Sequence, residues 1–119
     1  MATRRASGGD AEAATPKKGD AARVARKAAG RWLSAQREAA GLTQAEVAER
    51  VGLRYYTFVS QVEGGYGRVP SEHFASWAKA LGHDPYAFTK VLLSHYDPDV
   101  FRLLFPDEAP ARQTAAAKS

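Results

Sequence analysis

Cysteine is absent from all 119 residues, which excludes disulfides and thiolate-ligated metal from this chain. Histidine is scarce. His73, His83 and His95 are too far apart for a His-x-x-x-His metal pair, so each reads as a surface or half-buried residue, and no metal or other cofactor is expected. No apolar run approaches the roughly 18 residues of a membrane span. The first residues lack an apolar h-region, so no secretory signal is expected. No Ser or Thr lies in a nucleophile elbow. Glycines at 64, 65 and 67 invite a phosphate-loop reading, but no Lys-Ser/Thr follows them and no strand precedes them. The paired carboxylates Glu46/Glu49 and Asp97/Asp99 fall at helix starts or surfaces, where capping explains them. The expectation is a protein that is not an enzyme.

What charge imbalance there is lies at one end. The net charge is +4. Residues 1–29 hold seven basic residues against three acidic ones, while residues 30–105 and 106–119 are each balanced. Residues 1–22 contain no large apolar side chain after Met1 and cannot bury enough surface to offset their ordering entropy. They read as a disordered basic arm, suited to the phosphate backbone of nucleic acid and equally to the bland role of a solvated tail. Asp20 can cap a helix starting near Ala21, which would lead into the domain with Gly30 as a weak point.

The rest reads as helices. Trp32, Leu33, Gln36 and Ala39-Ala40 give an inward face to a first helix from about Arg31 to Ala40, ended by Gly41. Thr43 and Glu46 have the spacing of a capping box at the start of a second helix, with Val47, Ala48 and Val51 as its apolar stripe and Gly52 as its end. A third helix is expected from about Arg54 to Glu63, with Val59 and Val62 facing inward, stopped by Gly64-Gly65. Two short helices joined by a tight glycine-containing turn make a helix-turn-helix, which can lay its second helix in the DNA major groove. After a loop over 66–70, Ser71 starts a fourth helix carrying Phe74, Trp77, Ala78 and Leu81 on one face. Asp84-Pro85 opens a fifth helix, with Phe88, Val91, Leu92 and His95 on one face. Asp97-Pro98 opens a sixth, with Val100, Phe101, Leu104 and Phe105, and Pro106 ends it. The expected fold is all-α: a compact bundle of about six helices over residues 23–105, between the arm and a flexible tail at 106–119.

The stretch from about 30 to 90 resembles the phage-repressor-like (xenobiotic-response-element type) helix-turn-helix regulators of bacteria. The residues that carry the resemblance are Leu42-Thr43-Gln44, Ala48, Gly52, Val59, Val62-Glu63, Gly65, Pro70 and Trp77-Ala78-Lys79-Ala80-Leu81-Gly82. The resemblance implies sequence-specific binding of double-stranded DNA, most simply repression of a promoter, in a bacterial cytoplasm and associated with the nucleoid. It implies a phosphate contact at Gln44, through its side chain or the helix start, and base reading by Tyr56, Thr57 and Gln61, with Ser60 on the same surface. Glu63 lies 11 residues after Gly52, one more than the family spacing, and the extra residue falls near Arg54-Tyr55-Tyr56. Arg54 and Tyr55 therefore join the candidates. The competing role for Tyr55, Tyr56 and Phe58 is core packing, with Phe58 the one expected to be buried. The resemblance also pairs Arg37 with Glu63, pinning the first helix to the recognition helix. Arg68 is expected on a DNA phosphate, together with nearby loop amides.

A minimal domain of that family needs about five helices, so the sixth is surplus. Phe101, Leu104 and Phe105 are assigned to a homodimer interface. The alternative from another functional class is an antitoxin or co-regulator that acts mainly through a protein partner docked on the fifth and sixth helices.

Overall fold

The computed structural model describes residues 18–108, with the side chain of Lys18 left out. The segments 1–17 and 109–119, which carry most of the expected arm and tail, lie outside the described residues. Six α-helices make up the described chain: α1 Lys18–Ala39, α2 Gln44–Arg50, α3 Thr57–Glu63, α4 Phe74–Ala80, α5 Pro85–Tyr96 and α6 Pro98–Leu104, with a 3₁₀ turn at Ser71–His73. No strand occurs among the described residues. The all-helical bundle expected from the sequence is the fold observed.

Local rules account for several helix ends, although Asp97, at the start of α6, makes no side-chain cap bond. Thr43 Oγ1 accepts the Glu46 amide at 3.0 Å, and Glu46 Oε1 accepts the Thr43 amide at 2.8 Å, so both halves of the capping box are made. At the other end of α2, Leu53 N–H bonds Ala48 O at 2.8 Å and Gly52 N–H bonds Glu49 O at 3.2 Å. This closure places Gly52 at φ 83°, where a side chain would be strained. The same pair of bonds closes α1, α3 and α4 at Gly41, Gly65 and Gly82. Asp84 caps α5 by accepting the Ala87 amide at 2.9 Å, with Pro85 in the first turn.

The core gathers one face of each element: Ala29 and Leu33 of α1, Val47 and Ala48 of α2, Val59 and Val62 of α3, Trp77 of α4, Phe88 and Leu92 of α5, and Val69 from the loop. The long α1 lies across both α3 and α5, and α6 packs on α5. His83, in the turn before α5, donates from Nε2 to Gln36 Oε1 at 2.9 Å and sets its ring edge-on to Trp32 at 5.5 Å, tying α1 to that turn.

Several expectations are corrected. The first helix begins at Lys18, so residues 18–22 belong to it and not to an unstructured arm, and Asp20 lies in its first turn. It runs unbroken through Gly30. That glycine is buried against the end of α3, where a Cβ would stand 2.3 Å from Glu63 O and 2.6 Å from Val62 O. Ala39 and Ala40 are exposed rather than part of the core face. Ser71 opens the 3₁₀ turn without a side-chain cap, and the α-helix starts at Phe74. The third helix begins at Thr57, three residues later than expected. The start of the expected tail is tied down, since Glu108 pairs with Lys90 at 2.7 Å.

Candidate nucleic-acid interface

Seven residues make a helix that is marginal by itself in water, so α3 depends on how its two faces are held. Val59 and Val62 have no solvent exposure and anchor the inner face. Phe58 is half-buried rather than buried, edge-on to Trp77 with ring centroids 6.5 Å apart. Thr57, Ser60 and Gln61 are exposed on the outer face.

The end of α3 is locked by charge. Arg37 Nε and its NH2 group bond the two carboxylate oxygens of Glu63 at 2.7 and 3.2 Å. Both side chains are largely withdrawn from water, at 14% and 8% exposure. Arg37 also donates to Leu42 O at 2.8 Å. The hydrogen bond to Glu63, reinforced by its charge, raises the Arg37 pKa above the ordinary value, against the opposing effect of burial. Gln44 Nε2 donates to Glu63 Oε1 at 3.0 Å. Glu63 therefore joins α1, the start of α2 and the end of α3 in one knot. The Gln44 side chain, assigned to a phosphate by the resemblance, is engaged with Glu63. Beside the knot is an open hollow lined by Arg37, Leu42, Thr43, Gln44, Ala45 and Tyr56.

The structure brings Tyr56, Thr57, Ser60 and Gln61 onto or next to one exposed helix surface. Arg54 and Tyr55 lie in the connection before α3 and are exposed, as is Tyr56. Neither tyrosine enters the core. Arg68 lies beyond the far end of α3, exposed, with its guanidinium carbon 4.3 Å from the centre of the Tyr96 ring. The Tyr96 hydroxyl accepts the Val69 amide at 3.2 Å.

The dimerisation candidates separate. Phe101 is 3% exposed and belongs to its own molecule's interior, so it does not face a second copy. Phe105 is half-buried, 5.2 Å from Phe101 and 6.2 Å from Tyr86 between ring centroids. Leu104 is exposed at 60%, and Leu103, which the helical spacing does not single out, is more exposed still at 81%. Tyr66, 85% exposed and packed against Gly64, is a further surface residue that the sequence pattern does not pick out. Its position between loop glycines is the one signal that could have found it.

Among the described residues no helix is long and apolar enough to cross a membrane, and no group of three His, Cys, Asp or Glu is placed to hold a metal ion. Comparison with protein-family models, curated proteins and solved structures finds no match to the chain.

Proposed function

We infer that the chain is a sequence-specific double-stranded DNA-binding regulator of the bacterial cytoplasm, acting as a repressor on an inverted-repeat operator. One observation carries this reading. A short helix presents Thr57, Ser60 and Gln61 to solvent while its inner face is buried and its end is fixed by the Arg37–Glu63–Gln44 knot. A base-reading element needs polar groups on a rigidly held support. Gln pairs with adenine N6 and N7, and the Thr methyl meets a thymine methyl. Arg54, Tyr55 and Tyr56, exposed in the preceding connection, are the further candidates for contact with DNA.

A single short helix touches too few base pairs to stand out among genomic competitors. Two copies on half-sites about 34 Å apart double the contacts. The exposed Leu103 and Leu104 of α6, with Val100 on the same helix and Tyr86 against Phe105, are the surface for the second copy, in place of Phe101.

The test is enrichment of random duplexes by the full chain. One recurrent palindromic motif supports the reading, and a pool without enrichment refutes it. The same α6 surface favours a second reading, an antitoxin or co-regulator that acts through a protein partner. That reading expects stoichiometric co-purification with the partner in place of a homodimer.

A further inference from the structure

Arg23, Lys27 and Arg31 recur every four residues along α1, and all three are exposed. Helical rotation of about 100° per residue settles which way they face. Gly30 and Arg37 lie on the line along which α1 meets the end of α3. Ala29 and Leu33, to one side of that line, are buried in the core. Lys27 and Arg31 fall to the other side, and Arg23 continues the line past the end of α3. On α3, Val59 and Val62 point into that same core, while Thr57, Ser60 and Gln61 point away from it. The cationic stripe and the polar helix face therefore open on the same side of the molecule.

The loop after α3 packs against α1 and holds the stripe in place. Lys27 backs onto Gly65 so closely that a Cβ there would stand 2.8 Å from Lys27 Cα. Arg26 Nε donates to Gly65 O at 3.4 Å. Arg68 is steadied on the Tyr96 ring, and the exposed Tyr66 lies against Gly64. Among the described residues, no ion pair neutralises Arg23, Lys27, Arg31 or Arg68. Unpaired cations in a row, on a helix that runs unbroken through Gly30, match the phosphodiester backbone in charge and in their indifference to sequence.

We propose that Arg23, Lys27 and Arg31 form a rigid phosphate-binding ridge that grips the duplex backbone beside the base-reading helix. The ridge rests on the DNA-binding reading above and adds to it a second, sequence-blind contact. It differs from a trailing charged arm because its cations hold fixed positions relative to α3.

The experiment uses the full chain carrying R23Q/K27Q/R31Q, the wild type and Gln61→Ala. Each is titrated over a range of salt concentrations against the duplex the wild type enriches from a random library and against a scrambled duplex of equal composition. Hydroxyl-radical footprints are taken on the selected duplex. The triple variant should bind both duplexes more weakly by a similar factor. Its slope of log K against log salt should flatten by about 0.9 for each phosphate left without its cation, about 2.7 if all three side chains touch phosphate. Its footprint should show no protection at the outer edge of the site, whereas Gln61→Ala should weaken binding to the selected duplex alone. Unchanged slope and footprint in the triple variant, with Gln61→Ala still discriminating, overturn the ridge and leave the base-reading helix standing. A wild type that binds neither duplex overturns both. Should the triple variant melt early, Arg23→Gln and Arg31→Gln singly carry the same comparison.

Discussion

Gly30 touches the backbone of Glu63: a β-carbon at Gly30 would lie 2.3 Å from the Glu63 carbonyl oxygen. A contact that close to main-chain atoms cannot be relieved by turning a side chain. It fixes how near α1 and α3 approach, and with that the position of the exposed face of α3.

Gly30→Ala should therefore destabilise the fold even though alanine is the better helix former. The propensity gain of about 1 kcal/mol is outweighed by overpacking, which costs about 1–3 kcal/mol or more where backbone must move. Urea denaturation measures the difference. A variant as stable as the wild type would mean that α1 and α3 slide apart freely.

Arg37→Met should leave the Glu63 carboxylate withdrawn from water with Gln44 as its remaining side-chain partner, at a cost of about 3 kcal/mol. Adding Glu63→Gln removes the stranded charge and should recover part of that stability. A double-mutant cycle by denaturation reads the coupling. Additive single effects would show that the knot contributes nothing as a unit.

Gln61→Ala should cost about 1–3 kcal/mol on the preferred duplex and little on random DNA. Arg68→Ala should weaken both alike and flatten the salt dependence. If Gln61→Ala binds its preferred duplex as well as the wild type does, base reading belongs to Arg54, Tyr55 or Tyr56.

Leu104→Glu and Leu103→Glu should each give a folded monomer with much weaker operator binding, since both side chains are exposed. Phe101→Ala should behave differently, lowering stability by about 3–5 kcal/mol because it empties a buried site. Light scattering at micromolar concentration separates the outcomes. A monomeric wild type bound singly to an asymmetric site would end the dimer proposal.

Burial raises the Tyr96 pKa, with the Val69 amide and then Arg68 and Arg26 pulling the other way. A phenol whose folded pKa lies above its unfolded value near 10 contributes stability that is complete below that unfolded value. The contribution is lost as pH rises through the folded one. Stability should thus decline above about pH 10, and Tyr96 should ionise above the ordinary tyrosine range in an absorbance titration. Ionisation of Tyr96 within that ordinary range would contradict its raised pKa.

Near-neighbour physics makes much of this fold legible in the sequence. Capping at Thr43 and Asp84, the closing glycines 41, 52, 65 and 82, and the apolar spacings that bury Val59, Val62, Phe88 and Leu92 each involve groups within one or two helical turns, so the linear pattern carries them. Even the Arg37–Glu63 pair is legible, though through a resemblance and not through spacing. Tertiary structure alone decides what depends on groups far apart in the chain. Gly30 reads as a break in a helix until the carbonyls of Val62 and Glu63 are laid against it. Phe101 and Leu104 look equally apolar in sequence, and only the packing of α6 on α5 buries the first and leaves the second in solvent. Local pattern says that a residue is apolar or charged. Which neighbour it meets, and so whether it holds the core, a partner or a phosphate, is settled by interactions that the order of the chain does not encode locally.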